Sequence, residues 1–277
     1  MKLKRSNRLV AMTNDLLRNP HTTISLSYFA ERFQSAKSSI SEDLVIIKES
    51  FESHGIGKLT TAHGATGGVS FVPFVNELDA IQQLTELGKR LSDKGRLLPG
   101  GYLYMTDILG EPSVVNEIGR LFATNFWDHS IDAVMTVETK GIPLAYATAT
   151  QLQVPVVIVR KSSRVTEGPT VSINYVSGSS KRIQSMVLPR RSLKSGANVL
   201  IIDDFMKAGG TMRGMANLLE EFEANLAGMA VFVETKDESP KLVDNYLALL
   251  SLDYVNDGQE IQIEPGNITN FYKGELK

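Results

Sequence analysis

VLIIDDFMKAGGTM, Val199 to Met212, sets four aliphatic residues before two aspartates and closes on Ala208, Gly209, Gly210 and Thr211. The aliphatic run predicts a buried strand over 198–204, and the side chains after it shrink almost to nothing before a helix expected from Thr211 to Ala224. Small residues at a helix start let backbone N–H groups approach an anion, and the helix terminus adds positive potential there. Asp203 and Asp204 beside such a turn would repel a phosphate directly, so their expected targets are neutral hydroxyls such as a ribose diol. A phosphate cradle next to a diol clamp describes a sugar phosphate.

Outward from this stretch, residues 75–277 alternate helices and strands. Amphipathic spacing predicts helices over 78–91, 112–126 and 142–152. Apolar runs predict strands at YLYM (102–105), AVMTV (133–137) and VPVVIVRK (154–161), with AGMAVFVE (227–234) as the last clear strand. A polar loop and a hairpin are expected over 162–188. Strands separated by helices of this length imply an α/β fold with a mostly parallel sheet covered on both faces. Ligands of such sheets bind beyond the C-terminal strand ends.

Residues 1–74 have a different texture. Apolar spacing predicts a helix over 5–18, a short one through SLSYFAERF, a turn at Gln34-Ser35-Ala36, and a third helix to about Ser53 carrying Ile40, Leu44, Ile47 and Phe51 on one stripe. IGKLTTAHGATGGVSFVPF then reads as a hairpin about a glycine-rich turn at residues 64–68. This order is that of a winged helix-turn-helix, whose third helix would enter the DNA major groove. Three small helices and a hairpin also suit a protein-interaction module. Residues 1–74 hold nine Lys and Arg against six Asp and Glu, and the remainder twenty against twenty-five, so the basic excess lies N-terminal although the whole chain carries −2. Lys4, Arg5, Arg8 and Lys37 are the expected phosphate contacts. Ser38, Ser39 and Ser41 are expected near base edges, although a serine there is also expected to cap the third helix.

DDFMKAGGT resembles the phosphoribosyl-pyrophosphate (PRPP) loop of type I phosphoribosyltransferases. The resemblance implies that Asp203 and Asp204 hold the ribose hydroxyls while Lys207, Ala208, Gly209, Gly210 and Thr211 wrap the 5-phosphate. VETKGIPLA (137–145) resembles the pyrophosphate loop of the same family, which brings in Thr139, Lys140 and Gly141. The segment 160–182 resembles its lid, with Arg160 and Lys161 as anion contacts. Tyr102 and Phe205 either pack as core aromatics or flank a base and ribose. Two departures matter. Lys207-Ala208 stands where transferases usually have a small residue and threonine, and no set of residues reads a nucleobase, which turnover at the ribose C1 requires.

A winged helix joined to a type I phosphoribosyltransferase-like domain resembles the purine operon repressors of Gram-positive bacteria, with KSSISEDL, VETKGIPLA and DDFMKAGGT in order. That resemblance implies a homodimeric repressor of purine synthesis and salvage genes that binds a double-stranded DNA operator. PRPP is then an effector that lowers DNA affinity, Mg2+ can accompany it, and guanosine tetraphosphate is a rival occupant. Domains are expected at 1–74 and 75–277, with no catalysis. The alternative is an active purine phosphoribosyltransferase with an accessory domain. There is no cysteine and no apolar run of membrane-spanning length, so a cytoplasmic protein without disulfides is expected. His21, His54, His63 and His129 show no metal-ligand spacing.

Overall fold

The computed structural model describes residues 4–62, 64, 67–163, 166, 168–176, 183–236, 240–255 and 260–272. The chain divides into two compact units, Met1–Asn76 with Gln151–Gln153, and Glu77–Thr150 with Val154–Lys277.

In the first unit, α1 (Arg5–Arg18), β1 (Ile24–Ser25), α2 (Leu26–Phe33), α3 (Lys37–Ser53), β2 (Lys58–Ala62) and β3 (Gly68–Val72) follow in order. Met12 and Leu16 of α1, Phe29 and Phe33 of α2, and Ile40, Ile47 and Phe51 of α3 bury into one core closed by Leu59, Val69 and Phe71. Helix α2 starts on Ser25, whose hydroxyl accepts the Tyr28 amide at 3.1 Å, and ends on Gln34 in the left-handed region at φ 49°. That residue makes the sharp turn into α3. The serine cap expected for α3 is not there. Its N-cap is Ala36, and the Ser41 hydroxyl instead donates to the Lys37 carbonyl at 3.0 Å. Strands β2 and β3 pair antiparallel as expected, but β1 adds a third strand in the order β1-β3-β2. Residues 65 and 66 of the expected turn, and residue 63 just before it, lie outside the described residues.

The second unit contains α4 (Glu77–Leu91), β4 (Leu97–Leu98), β5 (Tyr102–Leu103), α5 (Pro112–Asn125), β6 (Ala133–Val137), α6 (Gly141–Leu152), β7 (Val156–Val159), β8 (Thr170–Val176), β9 (Ile183–Pro189), β10 (Asn198–Met206), α7 (Gly210–Glu220), β11 (Asn225–Thr235), β12 (Tyr246–Val255), β13 (Glu260–Pro265) and α8 (Ile268–Tyr272). Six of these strands form one sheet in the order β13-β12-β11-β10-β6-β7, parallel except for the antiparallel edge strand β13. Alternate residues face opposite sides. Met135, Ile201 and Val231 pack with Met212, Met215 and Leu218 of α7. Thr136, Leu200, Ile202 and Phe232 are fully buried on the other side. Both faces are therefore covered, as a parallel sheet requires.

Two expectations change. The strand expected over 102–105 shrinks to Tyr102–Leu103, paired with Leu97–Leu98. The sheet also continues past 227–234, since β12 extends it in parallel and β13 closes the edge. Among the described residues no helix is long and apolar enough to cross a membrane.

Candidate functional site

Strand order reverses between β6 and β10. The chain runs outward from β6 to β7 on one side and from β10 through β11 to β12 on the other. A crevice opens at such a switch point, beyond the carboxyl ends of the two central strands. The loop after β6 carries Thr139, Lys140 and Gly141, and β10 runs through Asp203 and Asp204 into the small-residue turn, so the fold brings the two sequence motifs together.

Two glycines let this happen. A Cβ on Gly141 would lie 2.2 Å from the Thr136 hydroxyl and 3.4 Å from an Asp203 carboxylate oxygen, so only glycine lets α6 begin this close to the acid pair. Gly209 sits at φ 82° as the N-cap of α7, a conformation that strains other residues. With Gly210 opening α7, the first N–H groups of that helix are left without intrahelical partners at the mouth of the crevice.

A cavity of about 610 Å³ occupies this end of the sheet. Asp203, Asp204, Phe205, Thr211, Lys140 and Tyr102 line it, together with Glu138, Lys161, Tyr175 and Gln184. A smaller adjoining recess is lined by Lys207, Ala208, Gly209, Gly210 and Thr211. Neither of the two aromatics is buried in the core. Phe205 faces the cavity and Tyr102, 43% exposed, stands at its wall rather than in the core. Thr139 does not line the cavity. Its carbonyl accepts the Ile142 amide at 3.3 Å and so starts α6.

The acid pair is electrostatically loaded. Asp203 is buried and accepts the Asp204 amide at 2.9 Å. Burial, and then the neighbouring Asp204 charge, push its pKa well above the ordinary carboxylate value, with Lys161 opposing. Burial also raises Asp204, opposed by its hydrogen bond to Asp203 and by Lys140. Carboxyls short of solvation in this way gain from hydroxyl donors, which a diol supplies.

Three contributors escaped sequence reading. The Glu138 carboxylate accepts the Lys161 amide at 2.9 Å and pairs with Arg160 at 3.4 Å, fixing the segment that follows β7 against the β6 loop. Tyr175 donates to Gln184 at 2.8 Å and shares a hydrogen bond with Thr211, so the β8–β9 hairpin orients the hydroxyl at the start of α7. Period-two spacing of Val171, Ile173 and Tyr175 was the available signal for that inward-facing phenol. Much of the lid-like segment, namely 164, 165, 167 and 177–182, lies outside the described residues.

In the first unit, Lys4, Lys37, Ser38 and Ser41 are exposed and Ser39 is half-buried at the start of α3. This first turn holds no acidic residue. Arg8 differs from expectation. It is 6% exposed, donates to buried Asp43 at 2.5 Å and to the Ser35 hydroxyl at 3.0 Å, and so ties α1 to α3. Arg5 is half-exposed and shares Asp43 at 2.9 Å. The signal was present, because Arg8 lies on the same buried stripe as Met12 and Leu16. Lys37→Ala is expected to weaken DNA binding at every sequence and to lower the slope of log affinity against log salt by about one, read in a salt titration.

The two units together define a class, a winged-helix unit joined to a phosphoribosyltransferase fold. Residues 4–73 match the family model for the bacterial purine repressor N-terminal domain, and residues 105–264 the model for the phosphoribosyl transferase domain. The chain is 58% identical over its full length, and 97% of the relative's, to the purine biosynthesis transcriptional repressor PurR of Bacillus subtilis. It is 45% identical over 97% of its length, and 99% of the relative's, to the purine biosynthesis transcriptional activator PurR of Lactococcus lactis subsp. lactis. The chain belongs to this PurR family of purine biosynthesis regulators. The adenine phosphoribosyltransferase structure from Thermoanaerobacter pseudethanolicus superposes with a TM-score of 0.51 at 24% identity, covering 61% of this chain and 98% of that one, which speaks for the fold alone.

Proposed function

We propose that this chain is a DNA-binding transcriptional repressor of purine synthesis and salvage genes, and that PRPP is the effector that lowers its DNA affinity. The observation that carries the reading is the acid pair and the small-residue turn meeting at the switch point of a chain whose full-length relatives are named regulators of purine biosynthesis. Residues 1–74 grip the operator through Lys4, Lys37 and the α3 serines, and residues 75–277 sense the effector. The turn Lys207–Thr211 takes the 5-phosphate, Asp203 and Asp204 the ribose hydroxyls, and the loop 139–141 the diphosphate, while Tyr102 and Phe205 flank the sugar. Mg2+ arrives chelated by the diphosphate, and guanosine tetraphosphate competes for the same cavity. The protein acts as a homodimer in the cytoplasm.

Coupling between the two sites is reciprocal. An anion that prefers the DNA-free form must weaken DNA binding by the same factor by which DNA weakens anion binding. The effector sets occupancy of the operator. Whether occupancy lowers or raises transcription depends on where the operator stands relative to the promoter, which accommodates both a repressor and an activator among the relatives.

Catalytic turnover is the other reading of this fold. Against it stands Lys207-Ala208 at the turn, where transferases usually have a small residue and threonine. A gel shift on operator DNA with and without PRPP, run beside an assay for pyrophosphate release with each purine base, separates the two. The expected result is DNA binding that PRPP weakens, with no release. Release without any shift would overturn the reading.

A further inference from the structure

The turn that takes the phosphate is supported from beneath by residues on neither motif. Beyond β11 the chain returns with Lys241, Leu242 and Val243 under the turn. The Lys241 ammonium donates to the Lys207 carbonyl at 2.6 Å, to the Thr235 carbonyl at 2.5 Å and to the Thr235 hydroxyl at 3.4 Å. The next residue's amide, Leu242 N–H, donates to the Ala208 carbonyl at 2.9 Å. Val243 closes the underside, where a Cβ on Gly209 would meet it at 3.0 Å. Two successive carbonyls of the turn are thus held on the side of the 241–243 segment.

In a trans peptide the C=O and the following N–H point in opposite directions. Pinning the Lys207 and Ala208 carbonyls downward therefore aims the Ala208 and Gly209 amides into the recess, as convergence on one anion requires. The donor at Lys207 is a cation, so its hydrogen bond is stronger than an amide's, and its charge lies one peptide unit behind the phosphate position. Among the described residues, three oxygens lie within hydrogen-bond reach of this ammonium, and together they fix the side chain in place.

The geometry points to Lys241 as a positioning residue for 5-phosphate recognition, acting through the Lys207–Ala208 peptide without touching the ligand. This rests on the proposed function above, since it presumes that the turn holds a sugar 5-phosphate. It separates Lys241 from Lys140 and Lys161, whose side chains face the cavity itself.

The test is calorimetry of the full chain and of Lys241→Met and Lys241→Arg with three probes, ribose 5-phosphate, PRPP and inorganic pyrophosphate. Lys241→Met is expected to weaken ribose 5-phosphate and PRPP by about tenfold or more and to leave pyrophosphate, held by the loop 139–141, within about twofold. Lys241→Arg keeps the charge and the donors and is expected to recover part of the loss. Equal losses for all three probes, or no loss for any, would overturn the assignment. If Lys241→Met does not fold, the wild-type chain still decides. Its lysine ammonium 15N–1H spectrum should hold a slowly exchanging resonance, absent from Lys241→Arg, that moves with ribose 5-phosphate and stays still with pyrophosphate. An unmoved resonance counts against Lys241. A wild-type chain that binds pyrophosphate but neither sugar phosphate instead overturns the effector reading on which this one stands.

Discussion

With Asp203 and Asp204 both replaced by alanine, operator affinity should stay within about twofold of wild type while PRPP binding falls about 100-fold or more, because the proposed site then loses both carboxyl groups that would hydrogen-bond the ribose hydroxyls. On the proposed function, a repressor so altered should stay on its operator at PRPP concentrations expected to release the wild type. Titration calorimetry and a gel shift with added PRPP measure the two halves separately, and normal release by the double variant would remove the diol-clamp assignment.

The same pair carries a stability consequence of opposite sign. Burial raises the pKa of Asp203 above its ordinary value of 3.8, so the folded chain holds that proton more tightly than the unfolded chain does. The resulting stabilisation is complete below the unfolded value and disappears as pH climbs through the raised folded value. Asp203→Asn, which has no proton to lose, should flatten this part of the stability–pH curve. It should also raise Tm at pH 7 while weakening PRPP, as expected where a binding site holds a group under strain. Thermal melts between pH 4 and 8 check it, and parallel wild-type and variant curves would count against it.

How much of this was legible beforehand depended on whether a signal was local. Strands β6 and β10 announce themselves as uninterrupted apolar runs, and the turn after β10 can be read because its chemistry lies in consecutive residues. The switch point that joins the two loops cannot be read locally, since it depends on β10 pairing with β6 across sixty-odd intervening residues. Strand β12 was missed because LALLSL fits a short buried helix as well as a strand. Lys241 was invisible for a related reason. Its partners are backbone carbonyls, which no side-chain pattern records. Arg8 was a different failure, because the buried stripe was visible and the basic composition of α1 outweighed it.

Asp43→Ala is expected to cost the winged-helix unit about 3–5 kcal/mol, the loss that follows when one partner of a buried ion pair is removed and the other charge stays behind. Asp43 is completely buried between Arg8 and Arg5, and Arg8 has no comparable exposure to water as an alternative. The loss should appear as a lower denaturant midpoint and as proteolysis within residues 5–53, together with lost operator binding and retained PRPP binding. A companion variant separates architecture from recognition. Arg8→Met with Asp43→Leu removes both charges and fills their space with apolar groups, which for buried pairs is often neutral or stabilising. If Arg8 only holds α1 on α3, this pair of changes restores both stability and operator affinity, and the salt slope stays at its wild-type value. If stability returns and DNA binding does not, the Arg8 guanidinium leaves Asp43 for a phosphate when the operator is bound, and the ion pair is a resting position of a DNA contact.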